Sequence, residues 1–166
     1  MFGGWYTKVD DKALRLSFDR LILLLSPAGA ASFLGTSVGP YLSKRAGERF
    51  ANEGDDAVGG AWAPLKPGTV AIREEMGFPG EHPINVRTGE LERWVVGSGW
   101  DAYPFGAGAS LRYPGTAPTG TLKEKVVTAQ RGRKDPDTVA RPVLAVNEAD
   151  MLFVIAALAA QIEAVF

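Results

Sequence analysis

Apolar residues recur at three- and four-residue intervals near both ends of the chain. In residues 10–26 they alternate with charged residues, which predicts an amphipathic helix that Pro27 and Gly29 end. In residues 151–166 apolar side chains lie on nearly every face, and Asn147 stands where the N-cap of such a helix is expected. Because a helix without a polar face is usually buried, we expect this last helix to pack against its own sheet or against a neighbouring subunit.

Between these ends the pattern predicts two further helices and several short strands. The first helix covers residues 30–52, with a break near Gly39 and Pro40, and the second covers residues 69–76. The buried face of the first of these helices is expected to comprise Tyr41, Leu42, Ala46 and Phe50. Strand-forming residues or alternating polarity predict strands at residues 92–96, 100–103, 111–113, 121–128 and 142–146.

The remaining segments are irregular. Residues 97–120 contain six glycines and three prolines, and the polar residues 129–140 predict a mobile loop or a hairpin tip. This order of elements is typical of an α+β fold, in which a small antiparallel β-sheet is flanked by N-terminal helices and a C-terminal helix, with long loops. We expect a single domain with a helical N-terminal part (residues 1–56), a part with sheet and loops (57–146) and a closing helix (147–166).

The composition is that of a globular domain and excludes several classes of function. Of 166 residues, 46% are hydrophobic and 22% are charged, and the net charge of −1 gives no long-range field that would attract nucleic acid or an anionic membrane. The absence of cysteine excludes disulfides, thiolate nucleophiles and cysteine-ligated metals. The apolar run of residues 21–25 and the longer one of residues 151–160 are both far shorter than the roughly 20 residues of a membrane-spanning helix, so we expect no membrane partner.

Two patterns could support catalysis or metal binding. Residues 35–39 match G-x-S-x-G, the nucleophile elbow of α/β-hydrolases, with Ser37 as nucleophile and the sole histidine, His82, as base. The elbow needs a preceding strand, whereas the residues before Gly35 have a helical pattern. Residues 52–56 are acidic but lack EF-hand spacing, which favours a solvated helix end. We therefore expect no catalytic, cofactor or metal site and keep a small hydrolase as an alternative.

A basic segment offers a second alternative. Residues 123–134 hold five basic side chains and one acid. They could contact phosphate or a neighbouring protein, but no aromatic residue is interleaved to stack on bases. The candidates for an interface or channel loop are Lys123, Lys125, Arg131, Arg133 and Lys134. A nucleic-acid-binding accessory protein therefore stays open as an interpretation.

The most informative stretch is A-W-A-P-L-K-P-G-T at residues 61–69, followed by an arginine and then by P-I-N-V-R-T-G-E-L at residues 83–91. Trp62 and Leu65 are apolar anchors in a turn that two prolines restrict, and Thr69 begins a short helix. Gly89 can enter a tight turn with positive φ before the chain continues into the predicted strand. The residues that form this pattern, together with a later Arg-Pro pair, are Trp62, Pro64, Leu65, Pro67, Thr69, Arg73, Ile84, Thr88, Gly89, Leu91, Arg141 and Pro142.

This combination resembles the phage virion morphogenesis family, also called tail completion proteins, and the related head–tail joining proteins of tailed bacteriophages. The resemblance runs from about Tyr41 to the last residue and includes the Arg141-Pro142 pair, an acidic turn and a final helix. The chain departs from the family after Leu91, where Glu92, Arg93 and Trp94 replace small or polar residues, and in its long glycine-rich stretch. These departures leave neck, tail terminator and tail completion protein open as alternatives.

The resemblance implies assembly and not catalysis. Such a chain would be a structural virion protein that forms a ring, expected to be a hexamer, joining or completing the tail at the head–tail junction. Its partners would be copies of itself and neighbouring neck and tail proteins, with no cofactor, and it would assemble in the host cytoplasm. Residues 97–120 and 129–140 would reach neighbouring subunits, and the basic segment would contact channel DNA without reading its sequence.

Overall fold

The computed structural model describes residues 11–86, 88–97, 100–112, 120–134 and 137–166, and these residues form helices and short β-hairpins. The α-helices are α1 (Asp11–Leu25), α2 (Pro27–Phe33), α3 (Gly39–Ala51), α4 (Pro67–Glu75), α5 (Glu90–Gly97), α6 (Gly120–Arg131) and α7 (Glu148–Glu163). The strands are β1 (Gly54–Asp55), β2 (Gly60–Ala61), β3 (Asp101–Phe105), β4 (Gly108–Arg112), β5 (Arg133–Lys134) and β6 (Asp137–Thr138). The predicted α+β class is confirmed, and the strands pair as three separate antiparallel hairpins, β1–β2, β3–β4 and β5–β6.

The chain bends sharply between α1 and α2, where the sequence predicts the end of the first helix. Helix α1 stops at Leu25, Ser26 caps α2 by accepting a hydrogen bond from Gly29 N at 3.1 Å, and Pro27 takes the first position of α2. A Cβ on Gly29 would lie 2.1 Å from the Leu23 carbonyl oxygen, so only glycine permits this close approach. Since α2 begins directly at Pro27, the prediction that the second helix starts at residue 30 was three residues late.

The break predicted near Gly39 and Pro40 is wrong, because the chain is helical without interruption from Pro27 to Ala51. A π-helical turn, Leu34–Val38, lies just before Gly39 and connects α2 to α3. The β3–β4 hairpin packs against this region. A Cβ on Gly39 would lie 3.0 Å from Trp100 Cβ, and one on Gly35 would lie 3.4 Å from Ala102 Cβ. Small residues on the helical side therefore make room for the hairpin, whose strands were predicted at nearly the right positions.

Two predicted strands are helices. Residues 92–96 belong to α5, where Leu91 and Val95, four residues apart, are buried beside α3. Residues 121–128 belong to α6, where Leu122, Val126 and Ala129 face the core at helical spacing. Packing of these apolar stripes overrides the strand propensity of the local sequence. As a result, the part of the chain expected to hold sheet and loops contains α4, α5 and α6.

The main core lies between α3, α5, α6 and the segment before α7. Its buried members are Ala46, Phe50, Trp62, Ile84, Leu91, Val95, Ala129 and Val143. On α3, Ala46 and Phe50 are buried as predicted, whereas Tyr41 and Leu42 are partly exposed. The predicted strand at residues 142–146 is not a strand, and the predicted loop at residues 129–140 contains the end of α6 and the β5–β6 hairpin.

Helix α7 begins as predicted, but the described residues leave its outer face uncovered. The Asn147 side chain accepts from Asp150 N, and the Asp150 carboxylate accepts from Asn147 N, each at 3.0 Å, which forms a capping box. The outward-facing residues Met151, Leu152 and Ile155 are 53–60% exposed. No single helix in the described ranges is long and apolar enough to cross a membrane, although α1 with the helix from Pro27 to Ala51, bent by 74°, passes that test as a pair.

Candidate functional site

Trp62 joins the first and last pieces of the sequence motif. Its ring is 6% exposed and meets the Phe50 ring edge to face, with centroids 5.5 Å apart. Its Nε1 donates a hydrogen bond to the Pro142 carbonyl oxygen at 3.0 Å. A single side chain thus supplies both apolar contact and a polar link between segments 80 residues apart.

Arg141 makes the reciprocal link. Its Nε donates to the Ala63 carbonyl at 2.6 Å and its Nη2 to the Pro64 carbonyl at 2.7 Å, while the guanidinium is almost fully buried. The backbone N–H of Arg141 donates to Ala129 at the end of α6. The turn that contains Trp62 is therefore fastened to the segment that leads into α7.

Side chains satisfy the backbone of residues 142–146, where a strand was predicted. Gln130 accepts from the N–H groups of Val143 and Leu144 at 2.6 and 3.0 Å and donates to the Leu144 carbonyl at 2.9 Å. Arg49 donates to the Val143 carbonyl at 2.8 Å. Because side chains provide the bonds that a neighbouring strand would give, the segment stays in the core without a β-ladder.

A buried ion pair, which the sequence analysis missed, lies under this segment. Arg49 is 1% exposed and binds both carboxylate oxygens of Asp55 at 2.9 Å. Asp55 also accepts from Arg45 at 3.3 Å and from Ala57 N at 3.0 Å. The acidic residues 52–56, expected to be a solvated helix end, therefore include Asp55, which is an internal partner for α3. The sequence feature that could have revealed this ion pair is the spacing of Arg45 and Arg49, which lie four residues apart on one face of α3.

A second polar cluster fixes the start of α7. Asp150 is fully buried and accepts from the Tyr41 hydroxyl at 2.8 Å and from Arg45 Nε at 3.1 Å. Burial alone would raise the pKa of Asp150, but the bonds from Asn147 N, Tyr41 and Arg45 outweigh it and hold the pKa below its ordinary value. Burial, followed by the bond to Asp150, raises the pKa of the Tyr41 hydroxyl. The Phe153 ring stacks on Tyr41 with centroids 3.7 Å apart.

The motif residues also enclose a groove of about 500 Å³ between α4, α5 and α6. The motif members that line it are Leu65, Thr69, Arg73, Thr88, Leu91 and Arg141. Of the others, Trp62 and Ile84 belong to the buried core, and the carbonyls of Pro64 and Pro142 accept the hydrogen bonds from Arg141 and Trp62. Pro67 starts α4, and Gly89 has the predicted positive φ of 67°. Glu124, Lys125 and Thr128 complete the wall from α6. Residues scattered over 80 positions of sequence thus meet in one concave surface.

Arg73 and Arg141 give this groove its charge. Arg73 is 4% exposed, and its Nη2 donates to the Pro83 carbonyl at 3.1 Å. Its buried Nε has no hydrogen-bond partner in the part of the chain that the structure describes. Burial lowers the pKa of Arg141. Among the described residues no carboxylate forms an ion pair with either guanidinium, whereas Lys125 pairs with Glu90.

Of the basic candidates, only Arg133 and Lys134 lie in the hairpin that was predicted as an alternative to a mobile loop. Lys123, Lys125 and Arg131 lie on α6, and Lys123 and Lys125 point about 200° apart around a helix with about 100° per residue. Arg133 and Lys134 form β5, and their side chains lie outside the described positions. The structure therefore gathers no single basic face from the side chains it describes.

Neither residue of the hydrolase hypothesis sits in suitable geometry. Ser37 lies in the π-helical turn Leu34–Val38, with helix and not strand before it, so the nucleophile elbow is absent there. His82 is 66% exposed, and its Nδ1 lies 2.6 Å from the Glu53 carboxylate. Within the described residues no group of three His, Cys, Asp or Glu side chains could hold a metal ion.

Comparison with known proteins adds no relative. No protein-family model, curated protein or solved structure matches the chain. Three features of the chain therefore bear on its function, namely the linked motif core, the groove and the exposed surfaces of the terminal helices.

Proposed function

We propose that this chain is a structural subunit of a tailed-phage virion that assembles with copies of itself into a ring at the head–tail junction. The proposal starts from the motif resemblance in the sequence. It is supported by the way in which the motif residues, from Trp62 to Arg141, form one bonded unit in the fold. It does not depend on the basic residues of α6.

The observation that carries the proposal is the exposed apolar surface of α1 and α7. Large apolar side chains on these helices are 37–68% exposed: Leu14, Leu16, Phe18, Ile22, Leu23, Leu25, Met151, Leu152, Phe153 and Ile155. A fully exposed large side chain presents roughly 150–250 Å², so the set offers on the order of 1,000 Å². This area is divided between the two helices, and each helix alone presents about as much apolar surface as the largest patch of a typical monomeric protein, which is about 300–600 Å².

In a head-to-tail contact one partner contributes α7 and the other contributes α1, so this area is the total for both partners. It reaches the total of about 1,000 Å² that marks the lower limit of a specific interface, and polar residues at the rim would add to it. If the outer face of α7 meets α1 of the next copy, the contact is head to tail, and a head-to-tail contact that closes on itself forms a ring. Covering the apolar side chains of both helices would supply the free energy of association.

The position of α7 is set before any partner arrives. Its first turn is held by the Asp150 bonds and by the stack of Phe153 on Tyr41. Near its other end, the Ser17 hydroxyl of α1 donates to the Val165 carbonyl at 3.0 Å. Because both ends are tied to the fold, little conformational entropy is lost when the outer face is covered.

The test is complementation of a phage that encodes this chain and lacks its gene. Wild type, Ile155→Glu and the control Val127→Glu would be supplied in trans, and antibody-gold electron microscopy would locate the protein on purified particles. Ile155 is 60% exposed on α7, and Val127 is 48% exposed on α6, so both variants add one charge at an exposed apolar site.

We expect gold at the head–tail junction with wild type and Val127→Glu, and loss of labelled, infectious particles with Ile155→Glu. Circular dichroism of each purified variant checks that it is folded. Unlabelled particles beside free protein in the lysate would refute the virion role. Full infectivity with Ile155→Glu would refute the assembly surface. Salt-dependent binding of the free protein to duplex DNA would favour the nucleic-acid alternative.

A further inference from the structure

The groove between α4, α5 and α6 contains two buried cations that no acid of the described chain neutralises. Within the described chain, both guanidiniums donate only to backbone carbonyls. Arg73 donates to Pro83, and Arg141 donates to Ala63 and Pro64. These carbonyls satisfy donors but carry no net charge. Burying a charge without a counter-charge destabilises the fold, and a bound anion would offset part of that loss.

One donor in the groove is also unused. Arg73 Nε is buried and has no hydrogen-bond partner among the described residues. An unpaired buried donor is uncommon in folded proteins, because it loses its hydration without gaining a hydrogen bond in return. Because Nε is enclosed, a ligand oxygen reaches it only when the Arg73 side chain turns toward the groove. A carboxylate matches such a guanidinium, since its two oxygens face two planar donors.

The rest of the lining selects against a small, highly charged anion. Ile72 and Val139 are 54% and 47% exposed at the groove and present apolar surface without cover, beside the buried Leu91. Glu124 at the same wall repels additional negative charge, and the charge of Lys125 is taken up by Glu90. A volume of about 500 Å³ accommodates a ligand larger than an ion.

We propose that this groove binds a carboxylate carried by an aliphatic group. The carboxylate contacts Arg73 and Arg141, and the aliphatic part covers Ile72 and Val139. The same chemistry occurs in a glutamate flanked by leucines in a protein segment and in a small aliphatic acid. This inference is independent of the proposed virion role, since it concerns the folded single chain.

The test uses defined probes and the full chain. Acetyl-Leu-Glu-Leu-amide, its Gln counterpart, hexanoate and inorganic phosphate are titrated at low salt, with amide ¹H–¹⁵N NMR to locate the site and calorimetry to measure affinity. We expect the Glu peptide or hexanoate to shift resonances of α4 and α6 around the groove. The Gln peptide should bind at least about tenfold more weakly, since a charged hydrogen bond is worth about 1.5–3 kcal/mol.

The probes distinguish the source of the carboxylate. Tighter binding of the peptide indicates a protein segment, and tighter binding of hexanoate indicates a small acid. Phosphate binding as tightly as both, or equal binding of the Glu and Gln peptides, would overturn the proposal. So would the absence of any shift in the groove at millimolar concentrations of the peptide and hexanoate.

Variants connect the binding to the named side chains. Arg73→Lys keeps the charge but removes the planar donor set, so we expect at least fivefold weaker binding of the carboxylate probe. If Arg73→Lys does not fold, Glu124→Gln provides the test instead, because Glu124 is exposed and its replacement should leave the fold intact. It should bind the carboxylate probe about two- to fivefold more tightly, since removing a like charge lowers repulsion. Glu163→Gln on α7 makes the same change outside the groove and should have no effect; equal affinities in these two variants would overturn the proposal.

Discussion

Replacing Arg49 by methionine tests whether the side-chain bonds around residues 142–146 hold the core together. The substitution keeps an unbranched side chain of similar length and removes the guanidinium. Arg49 is 1% exposed and binds both oxygens of Asp55 at 2.9 Å and the Val143 carbonyl at 2.8 Å. The variant would leave a poorly compensated carboxylate and an unpaired carbonyl in the core.

The size of the effect follows from these contacts. Removing one partner of a buried ion pair costs about 3–5 kcal/mol. Asp55 keeps the bonds from Arg45 at 3.3 Å and from Ala57 N at 3.0 Å. We therefore expect the lower end of that range, about 3 kcal/mol. A domain of this size loses about 2–4 °C of Tm for each kcal/mol, so Tm should fall by about 6–12 °C.

The assay is guanidinium chloride unfolding followed by far-UV circular dichroism at pH 7, with a thermal melt in parallel. The matched control is Lys44→Met, because Lys44 lies on the same helix, is 75% exposed and meets Glu48 only at 3.7 Å. An exposed pair of this kind contributes less than about 1 kcal/mol. The m-value should be unchanged in both variants. If Arg49→Met costs no more than Lys44→Met, the reasoning about the buried pair is wrong.

Three further predictions concern single contacts. Trp62→Phe keeps the apolar ring but loses the bond to Pro142, so denaturant unfolding should show a loss of about 1–2 kcal/mol, and no loss would contradict the link. Gly29→Ala should lower the Tm measurably, since its Cβ would lie 2.1 Å from the Leu23 carbonyl oxygen; an unchanged Tm would show that the bend can relax. The lowered pKa of Asp150 contributes stability above the unfolded pKa of about 3.9, which is lost as the pH falls through the folded pKa. Asp150→Asn should therefore be less stable at pH 7, with a gap to wild type that narrows below about pH 4 in urea titrations; a constant gap would contradict the shift.

Local signals in the sequence were sufficient for the ends of several elements. The N-cap at Asn147 and the positive φ of Gly89 follow from the chemistry of one or two neighbouring residues. The extent of α1 follows from its periodic pattern and from Pro27, because a proline fits the first turn of a helix and not its interior. The α+β class follows from the order of such elements along the chain.

Tertiary contacts decided what these local signals could not. Trp94, Val95 and Val96 favour a strand by propensity, yet the burial of Leu91 and Val95 against α3 makes the segment a helix. Residues 142–146 also favour a strand, but the side chains of Gln130 and Arg49 occupy their backbone groups. The partners of residues 142–146 lie 13 residues away at Gln130 and 94 residues away at Arg49, beyond the few neighbours on which strand propensity depends.

The groove and the exposed terminal helices likewise depend partly on local sequence and partly on tertiary structure. The amino-acid sequence determined which residues are apolar, charged or conformationally restricted, and so which motif residues were candidates. Only the fold placed Arg73 and Arg141 in one groove and left the outer faces of α1 and α7 uncovered. The physical reason is that burial and charge pairing depend on which surfaces meet across the whole chain, whereas capping, turns and helical periodicity depend on neighbours a few residues away.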